Sequence, residues 1–325
     1  MIKLTMKAAL PVAIALALSA CSSSYSSTNT PNTSGLVSSG VITGFGSIFV
    51  NGVEFETDSA TFNVDGVSGT QADLAIGMKV DIEGSINADG VTGMATHVDF
   101  DEELQGPVLG PIIDNVQTKS FTVLGTTVII DINDTRFDDD NGAFSFDTIE
   151  VNDNVEISGF FDAAGALHAT RIELEDEDFD DSSIVEVEGV IEGLSGTFFM
   201  IGTLEVEAKD AVLDDLPNGL VDGIKVEVKG TYDVATNRLT ATKVEGEDDE
   251  LEDSENEIEI EGIITRYVDD SDFDVDGHPV DASADTVERE PSSLILEEGI
   301  HIEVEGIVSN GILIASEVET REIEQ

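Results

Sequence analysis

Apolar and polar residues alternate along most of the chain with a period of two, which is typical of β-strands with one buried face. The clearest case is residues 77–84, where Val80 and Ile82 alternate with charged residues and Gly84 ends the run. The same pattern recurs three more times further along the chain. This repetition predicts four similar units. The four copies occupy residues 77–84, 154–159, 223–230 and 299–306.

Other landmarks recur in the same order around each copy. Asn51-Gly52 stands between two apolar runs and predicts a two-residue hairpin, because both residues accept a positive φ. Residues 72–76 predict a single helical turn before the first copy of the strand pattern. Corresponding positions are about 71 to 77 residues apart, which exceeds the roughly 20–45 residues of solenoid repeats. We therefore expect each unit to be a small β domain.

The fold class predicted is all-β, with four tandem small β-barrel domains that are OB-like and joined by acidic linkers. A unit of five or six strands must protect its edges, and curling into a small, partly open barrel does so. The glycine that ends each motif lies on the inward face, where it lets a strand bend sharply. A small sandwich is the alternative. The predicted repeats span residues 40–100, 105–174, 184–247 and 257–321.

The charge of the chain is strongly negative, with 14 Lys and Arg against 69 Asp and Glu and a formal net charge of -55. Acidic residues concentrate between the repeats, at residues 99–103, 173–181 and 245–259. Such runs repel themselves and predict extended connectors. The balance argues against nucleic acid as a partner, since phosphate binding requires a cationic groove. Adaptation to a salty habitat is another explanation of the charge.

The amino-terminal segment predicts a signal peptide at residues 1–20, with a basic start, a short apolar run and small residues before Cys21. This pattern resembles the lipobox of bacterial lipoproteins, whose cysteine carries acyl chains such as palmitate. A secretory signal that merely contains a cysteine is the alternative. Residues 21–39 predict a lipidated tether rich in Ser and Thr. By resemblance to Gram-negative lipoproteins, Ser22 favours the outer membrane.

Three segments of repeat one carry motifs of a known family, in the order Gly44-x-Gly46-Ser47-Ile48-x-Val50-Asn51-Gly52, Leu74-x-x-Gly77-Met78-x-Val80-x-Ile82-x-Gly84 and Ala95-Thr96-x-Val98. They resemble the bacterial domain-of-unknown-function family numbered 5666. Repeats two to four match more loosely, and Asn152 stands where the motif has Gly77. The resemblance implies secreted or lipid-anchored envelope proteins with tandem small β-barrels, and it implies no catalytic residues.

A first candidate calcium site lies in repeat four. Asp272, Asp274 and Asp276 match the start of an EF-hand loop, although Ser283 stands where the bidentate Glu is required. The segment also aligns with the hairpin of repeat one, so a plain turn is the alternative interpretation.

A second candidate is an acidic loop that contains Asp138 and Asp140, where several oxygens lie close together. A solvated loop is the alternative. Calcium is thus the cofactor that the sequence raises, and no other cofactor is predicted. Four scattered histidines are interpreted as polar positions on the outer faces of strands, without a zinc site. They are His97, His168, His278 and His301.

No nucleophile, P-loop or dinucleotide motif is present, so the sequence does not indicate an enzyme. We predict a non-catalytic envelope lipoprotein whose tandem β modules serve interaction or structural roles. Calcium-dependent adhesion or buffering and glycan binding are the alternatives. Expected partners are the outer membrane of a Gram-negative bacterium, through the lipid on Cys21, and an envelope protein or glycan. The aromatic residues that could stack on sugars are interpreted as core or edge-covering residues: Phe45, Phe49, Phe55, Phe160 and Phe161.

Overall fold

A computed structural model of the chain describes residues 35–139, 142–247, 251–254 and 256–321. Within these ranges the chain forms strands and turns, and the predicted helical turn is a short 3-10 segment at Gln71–Asp73. No helix there is long and apolar enough to cross a membrane. The all-β prediction and the four repeats are confirmed. The signal peptide, Cys21 and most of the tether lie outside the described residues.

The first two repeats begin with a strand that is interrupted by a bend and then continue through a hairpin to two long strands. Repeat one comprises β1 (Leu36–Val41), β2 (Gly44–Phe45), β3 (Ile48–Val50), β4 (Val53–Glu56), β5 (Thr61–Val64), β6 (Val67–Gly69), β7 (Lys79–Ile86) and β8 (Thr92–Phe100). Repeat two comprises β9 (Leu104–Pro107), β10 (Leu109–Asp114), β11 (Thr118–Val123), β12 (Thr126–Asp131), β13 (Arg136–Asp138), β14 (Asn154–Phe161) and β15 (Leu167–Asp176).

The last two repeats follow the same order, and in repeat four the first strand is continuous. Repeat three comprises β16 (Ile184–Val190), β17 (Glu192–Ser195), β18 (Phe198–Ile201), β19 (Leu204–Glu207), β20 (Val212–Asp214), β21 (Lys225–Asp233) and β22 (Arg238–Gly246). Repeat four comprises β23 (Glu257–Asp269), β24 (Asp272–Val275), β25 (His278–Asp281), β26 (Glu288–Glu290), β27 (His301–Ser309) and β28 (Ile312–Thr320).

Strand pairing inside a repeat is clearest in repeat four. There β23 pairs with both β24 and β27, β27 pairs with β28, and β24 pairs with β25. The pairing of β25 with β28 is parallel. The same parallel pairing joins β4 to β8, β12 to β15 and β19 to β22.

Strands also pair between repeats, so the repeats are not the separate domains joined by linkers that the sequence predicted. β1 pairs in parallel with β23, at Ser38–Glu259 and Ser39–Ile260, and β9 pairs with β16. The result is two sheets of 14 strands, one shared by repeats one and four and the other by repeats two and three. Because an unpaired edge exposes backbone hydrogen-bonding groups, each shared edge satisfies groups that a separate unit would expose.

The boundaries of the predicted tether and linkers also differ from the structure. Residues 36–39, predicted as tether, belong to β1. Glu102 and Glu103, predicted as an extended connector, are buried at 5% and 1% exposure. Leu251, between repeats three and four, is buried in the core of repeat four. Burial of these segments, rather than mutual repulsion of their charges, decides where the chain runs.

The predicted hairpin at Asn51-Gly52 is confirmed, with φ of 52° and 79°. The Asn51 side-chain amide donates to Ser38 Oγ at 3.1 Å and to the Ser39 carbonyl at 2.9 Å. A Cβ at Gly40 would lie 2.4 Å from Asn51 Oδ1. The glycine in the first strand therefore makes room for the turn that folds over it.

The glycine that ends each repeated motif lies at a register shift between the two long strands of its repeat. A Cβ added at any of the four would lie 2.0–2.3 Å from a backbone carbonyl of the neighbouring strand. These positions require glycine for a steric reason, because the bulge brings the two backbones too close to leave room for a side chain. The four are Gly84, Gly159, Gly230 and Gly306.

We expect Gly84→Ala to destabilise the protein by about 3 kcal/mol or more, since its Cβ would lie 2.0 Å from the Met94 carbonyl oxygen. Gly90→Ala is the control, because Gly90 has φ of 73° but open space around it, and this strain costs about 1 kcal/mol. Denaturant unfolding of both variants measures the difference. Equal losses of stability would contradict the steric explanation.

Candidate functional site

Lys79, the first residue of β7, lies in a buried junction where repeats one, two and four meet. Its Nζ is 2.9 Å from Oε1 of Glu103, which immediately precedes β9, and 3.1 Å from Oδ2 of Asp276 in the turn after β24. The three side chains are 16%, 1% and 13% exposed respectively. One buried ammonium group thus joins three repeats, and removal of a buried partner is strongly destabilising.

The second repeat completes one side of this junction. The backbone N–H of Lys79 donates to Ser158 Oγ at 3.0 Å, and the N–H of Gly159 donates to Glu103 Oε2 at 2.9 Å. The ring of Phe160 lies 5.6 Å from the Lys79 ammonium. The motifs of repeats one and two therefore pack directly against each other.

The fourth repeat closes the other side through Glu261. Its Oε2 accepts the N–H of Val41 at 2.9 Å, and its Oε1 lies 3.1 Å from His301 Nε2. The His301 ring is 5.0 Å from the ring of Phe160. His301 is the first residue of β27, as Lys79 is of β7. The prediction that this histidine sits on an outer face is wrong, since it lies in the junction.

The electrostatics of the junction follow from burial and from the mixture of charges. Burial alone would lower the pKa of Lys79, but the carboxylates of Asp276, Glu103 and Glu188 outweigh it and raise this pKa well above its usual value. Burial would raise the pKa of Asp276, yet Lys79 and Lys225 hold it below its usual value. Burial raises the pKa of Glu103 to about 7, against the opposing effect of Lys79. Of Lys79, Asp276 and Glu103, Glu103 is the one whose pKa lies near neutral pH.

A second buried cluster joins the chain segment before β9 to repeat three. Lys229 Nζ lies 2.6 Å from Glu186 Oε2 and 3.4 Å from Glu227 Oε1. Burial, together with the neighbouring carboxyls of Asp65 and Glu186, raises the pKa of Glu102 to about 12. Burial and the charge of Glu227 raise the pKa of Glu186 to about 8. Glu102 is therefore a protonated acid inside the fold, able to share its proton with Glu186.

Raised carboxyl pKa values recur elsewhere in the described residues, and burial is the largest cause in each. The folded protein consequently binds more protons than the unfolded chain at neutral pH. The contribution of these carboxyls to stability is fully present below the pKa of an unfolded carboxyl, about 4.5. It is lost as pH rises through their pKa values in the folded protein. The pKa is raised to about 7 for Asp101, about 8 for Glu156, Glu247 and Glu303, and about 9 for Glu259.

An open cleft of about 930 Å³ lies between repeats one and two. Phe45 and Phe49, from β2 and β3, line one side, and Phe137 of β13 lies on the other. Phe45 is 40% exposed and is therefore not a core residue, whereas Phe55 and Phe160 are buried in the core. The remaining lining combines apolar and polar groups. It includes Thr43, Ala75, Ile76, Arg136, Asp138 and Arg171.

The polar groups of the cleft hold one another in place. Arg171 Nη2 donates to Asp138 Oδ2 at 2.7 Å and to Glu173 Oε2 at 2.8 Å. The Arg171 side chain is 8% exposed, whereas that of Asp138 is 49% exposed. Among the described residues, Nε of Arg171 has no hydrogen-bond partner. The cleft thus presents a carboxylate that faces solvent and is held by a largely buried guanidinium.

The seam behind the cleft is tightly packed at Gly77, in the same motif as Lys79. Thr170 Oγ1 donates to the Gly77 carbonyl at 2.6 Å. Gly77 has φ of 95°, and a Cβ there would lie 2.9 Å from the Thr170 carbonyl oxygen. The equivalent Gly223 and Gly299 have φ of 91° and 86° but open space. Contact between repeats one and two, in addition to backbone conformation, requires glycine at position 77.

The predicted EF-hand aspartates do not converge. Arg266 lies 2.7 Å from Asp272 Oδ1 through Nη2 and 2.7 Å from Asp274 Oδ2 through Nε. Asp276 points instead toward Lys79, and the alternative interpretation of a plain turn is confirmed, with φ of 48° and 86° at Asp276 and Gly277. Calcium at these residues remains a prediction from the sequence.

The other predicted site residues fall in different places. Asp138 pairs with Arg171 on the cleft. Asp140 and Cys21 lie outside the described residues. In the ranges that the structure describes, no group of three or more His, Cys, Asp or Glu side chains could hold a metal ion.

Sequence reasoning missed both the junction and the cleft. A signal for the junction was present, because β7, β21 and β27 all begin with a basic residue directly after the Gly-Met or Gly-Ile pair: Lys79, Lys225 and His301. The partners of Lys79 come from other repeats, and no spacing along the chain relates them. Exposure of Phe45 also depends on how two repeats pack.

These observations define an all-β protein of four repeats that pack around shared buried ion pairs. The family described as "Domain of unknown function (DUF5666)" matches residues 34–99, 110–173, 188–245 and 261–319. The chain belongs to the DUF5666 family, and the resemblance noted in its motifs is confirmed.

A solved structure titled "drosophila Unr CSD456" aligns with 66% of this chain and 96% of its own length, at 13% identity and a TM-score of 0.21. A score this low supports no inference about fold or function. Comparison with curated proteins gives no match.

We expect the stability of the protein to fall between about pH 5 and about pH 9, and to fall less steeply in Glu102→Gln. The unfolded carboxyl loses its proton near 4.5, whereas the folded one, with a pKa of about 12, keeps it. The variant removes this proton uptake, which is worth up to about 1.4 kcal/mol per pH unit. Denaturant unfolding across this range measures the slope. Glu192→Gln, at an exposed carboxyl on β17, is the control, and equal slopes in all three proteins would contradict the assignment.

Gly77→Ala should destabilise the protein more than Gly223→Ala. Both substitutions place alanine at a φ near +90°, but only the first brings a Cβ to 2.9 Å from the Thr170 carbonyl. We expect the first to cost about 2 kcal/mol more than the second. Parallel thermal and denaturant unfolding provides the comparison. A larger loss in Gly223→Ala would show that the seam does not restrict position 77.

Proposed function

We propose that the protein is a non-catalytic, lipid-anchored binding protein of the Gram-negative cell envelope. The single observation that carries the binding role is the cleft between repeats one and two, where exposed Phe45 lies near the fixed Arg171–Asp138 pair. Binding sites are typically concave and largely apolar, with a few placed polar groups. The cleft has this composition.

The distribution of charged groups supports binding rather than catalysis. Lys79, Glu103 and Asp276 have shifted pKa values, which often mark active sites. Here, however, they lie inside a junction and hold repeats together, and none of the three lines the cleft. Ion-pair networks with a structural role perturb pKa values in the same way.

The proposal includes an OB-like, barrel-like arrangement for each repeat. In repeat four the pairings run from β28 through β25 and β24 to β23, and also from β28 through β27 to β23. Such an order protects the strand edges within a repeat. The sheet then continues through β23 into repeat one.

Anchoring is proposed from the amino-terminal sequence. The basic start, the short apolar run and the small residues before Cys21 favour lipid attachment at that cysteine. Several acyl chains on one residue would retain the protein stably, because each buried methylene contributes about 0.8 kcal/mol. The Ser- and Thr-rich segment that follows would separate the membrane from the first strand.

The anchoring proposal predicts that the full-length chain, expressed in a Gram-negative host with labelled palmitate, acquires the label and fractionates with outer membranes. Cys21→Ala should lose the label and leave that fraction, because the chain has a single cysteine. Ser23→Ala is the control and should behave as the wild type. An unlabelled wild-type protein would contradict lipidation, and a labelled protein in inner membranes would contradict the location.

A further inference from the structure

We propose that the cleft between repeats one and two binds an uncharged oligosaccharide. This inference rests on the proposed function, which assigns binding to that cleft, and it names the chemical class of the ligand. The volume of the cleft, about 930 Å³, lies at the upper end of the usual range for small-ligand sites, roughly 300–1,000 Å³. An elongated ligand of several linked rings suits an open cleft of this size.

The aromatic residues form the apolar part of the site. Phe45 is 40% exposed, which is unfavourable for a side chain of this type in water. The Phe49 ring packs beside Gly44, where an added Cβ would lie 3.5 Å from it. Sugar rings present C–H groups on their faces, and these groups are attracted to the negative face of an aromatic ring. Phe45, Phe49 and Phe137, which line the same cleft, are therefore the side chains that sugar rings would contact.

The polar groups match the hydroxyls of a sugar. A hydroxyl both donates and accepts hydrogen bonds, so adjacent hydroxyls can serve a guanidinium and a carboxylate at once. Arg171 is buried and held by Asp138 and Glu173 at 2.7 and 2.8 Å. Its Nε is buried without a hydrogen-bond partner among the described residues, so it is closed to a ligand. Asp138 keeps nearly half of its side chain exposed, and it is the carboxylate to which sugar hydroxyls can donate.

The charges of the site favour an uncharged ligand over an acidic or a basic one. Arg136, Arg171 and Asp138 line the cleft, and Glu173 contacts Arg171 beside it, so these four side chains together carry no net charge. The chain as a whole has a net charge of -55, which repels polyanions at long range. A polycation would be attracted to acidic surfaces throughout the protein and would gain little from this cleft. Recognition through stacking and hydroxyl contacts needs no charge on the ligand.

The walls of the cleft are held in place before a ligand binds. Thr170 donates to the Gly77 carbonyl at 2.6 Å, and Arg171 Nη1 lies 3.4 Å from the Ile76 carbonyl oxygen. These contacts fix repeat one against repeat two directly behind the cleft. Preorganised walls reduce the entropy that binding would otherwise lose.

The test titrates the mature full chain with a panel of short uncharged oligosaccharides, followed by calorimetry on those that bind. We expect at least one to bind, with an affinity that changes little with salt, since no ionic contact is involved. Phe45→Ala and Asp138→Asn should each weaken binding by about tenfold or more. Phe198→Ala is the matched control, because Phe198 is also exposed, at 36%, but lies on β18 of repeat three. Unchanged melting temperatures would show that the variants fold.

Three outcomes would overturn the proposal. The first is that no uncharged oligosaccharide in the panel binds. The second is binding that Phe45→Ala and Phe198→Ala weaken equally, which would place the ligand elsewhere. The third is tighter binding of a uronic-acid oligosaccharide or a lysine-rich peptide, lost at high salt, which would assign the cleft to a charged ligand. Each leaves the palmitate labelling of Cys21 unaffected, so failure of the ligand class is distinguishable from failure of the anchoring proposal.

Discussion

A lysine removed from water requires carboxylate partners nearby, and Lys79 finds them in two other repeats. Glu103 and Asp276 lie 2.9 and 3.1 Å from its ammonium. The strand that carries Lys79 therefore cannot move without exposing charges that the neighbouring repeats have desolvated. The seam at Gly77 and the cleft in front of it belong to the same segment of chain. The geometry of the candidate binding site consequently depends on an ion cluster that the ligand would not contact.

Scarcity of cations shapes the rest of the molecule. With 14 Lys and Arg against 69 Asp and Glu, most carboxyls cannot have a basic partner. Lys79, Arg171 and Lys229 each contact two carboxylates. Buried carboxyls without enough cations keep a proton instead, as Glu102 does beside Glu186. Protonation and ion pairing are thus two solutions to the same desolvation problem in one fold.

Local features could be predicted from the sequence because they depend on neighbouring residues. The alternation of Val80 and Ile82 predicted β7, and Asn51-Gly52 predicted a hairpin that forms. Partnership between distant segments could not be predicted. The acidic residues before β9 resemble a solvated linker, and only the approach of Lys79 explains the burial of Glu103. Likewise, phenylalanine is usually a buried residue, and the exposure of Phe45 reflects the packing of two repeats. The bulge at Gly84 is an intermediate case. The sequence showed where the glycine stands, but not that a backbone carbonyl of the neighbouring strand leaves no room for a side chain there.

The parallel pairing of β1 with β23 joins the first repeat to the last, and this has a consequence for how the gene can change. In an open tandem array, recombination can add or delete a copy, and the neighbours simply stack again. Here the outer repeats are partners of each other, while repeats two and three share their own sheet. A gain or loss of one copy would leave a strand edge uncovered and an acidic partner without its cation. The shared sheets therefore constrain how a repeat could be gained or lost, because the four repeats hold unlike positions in them.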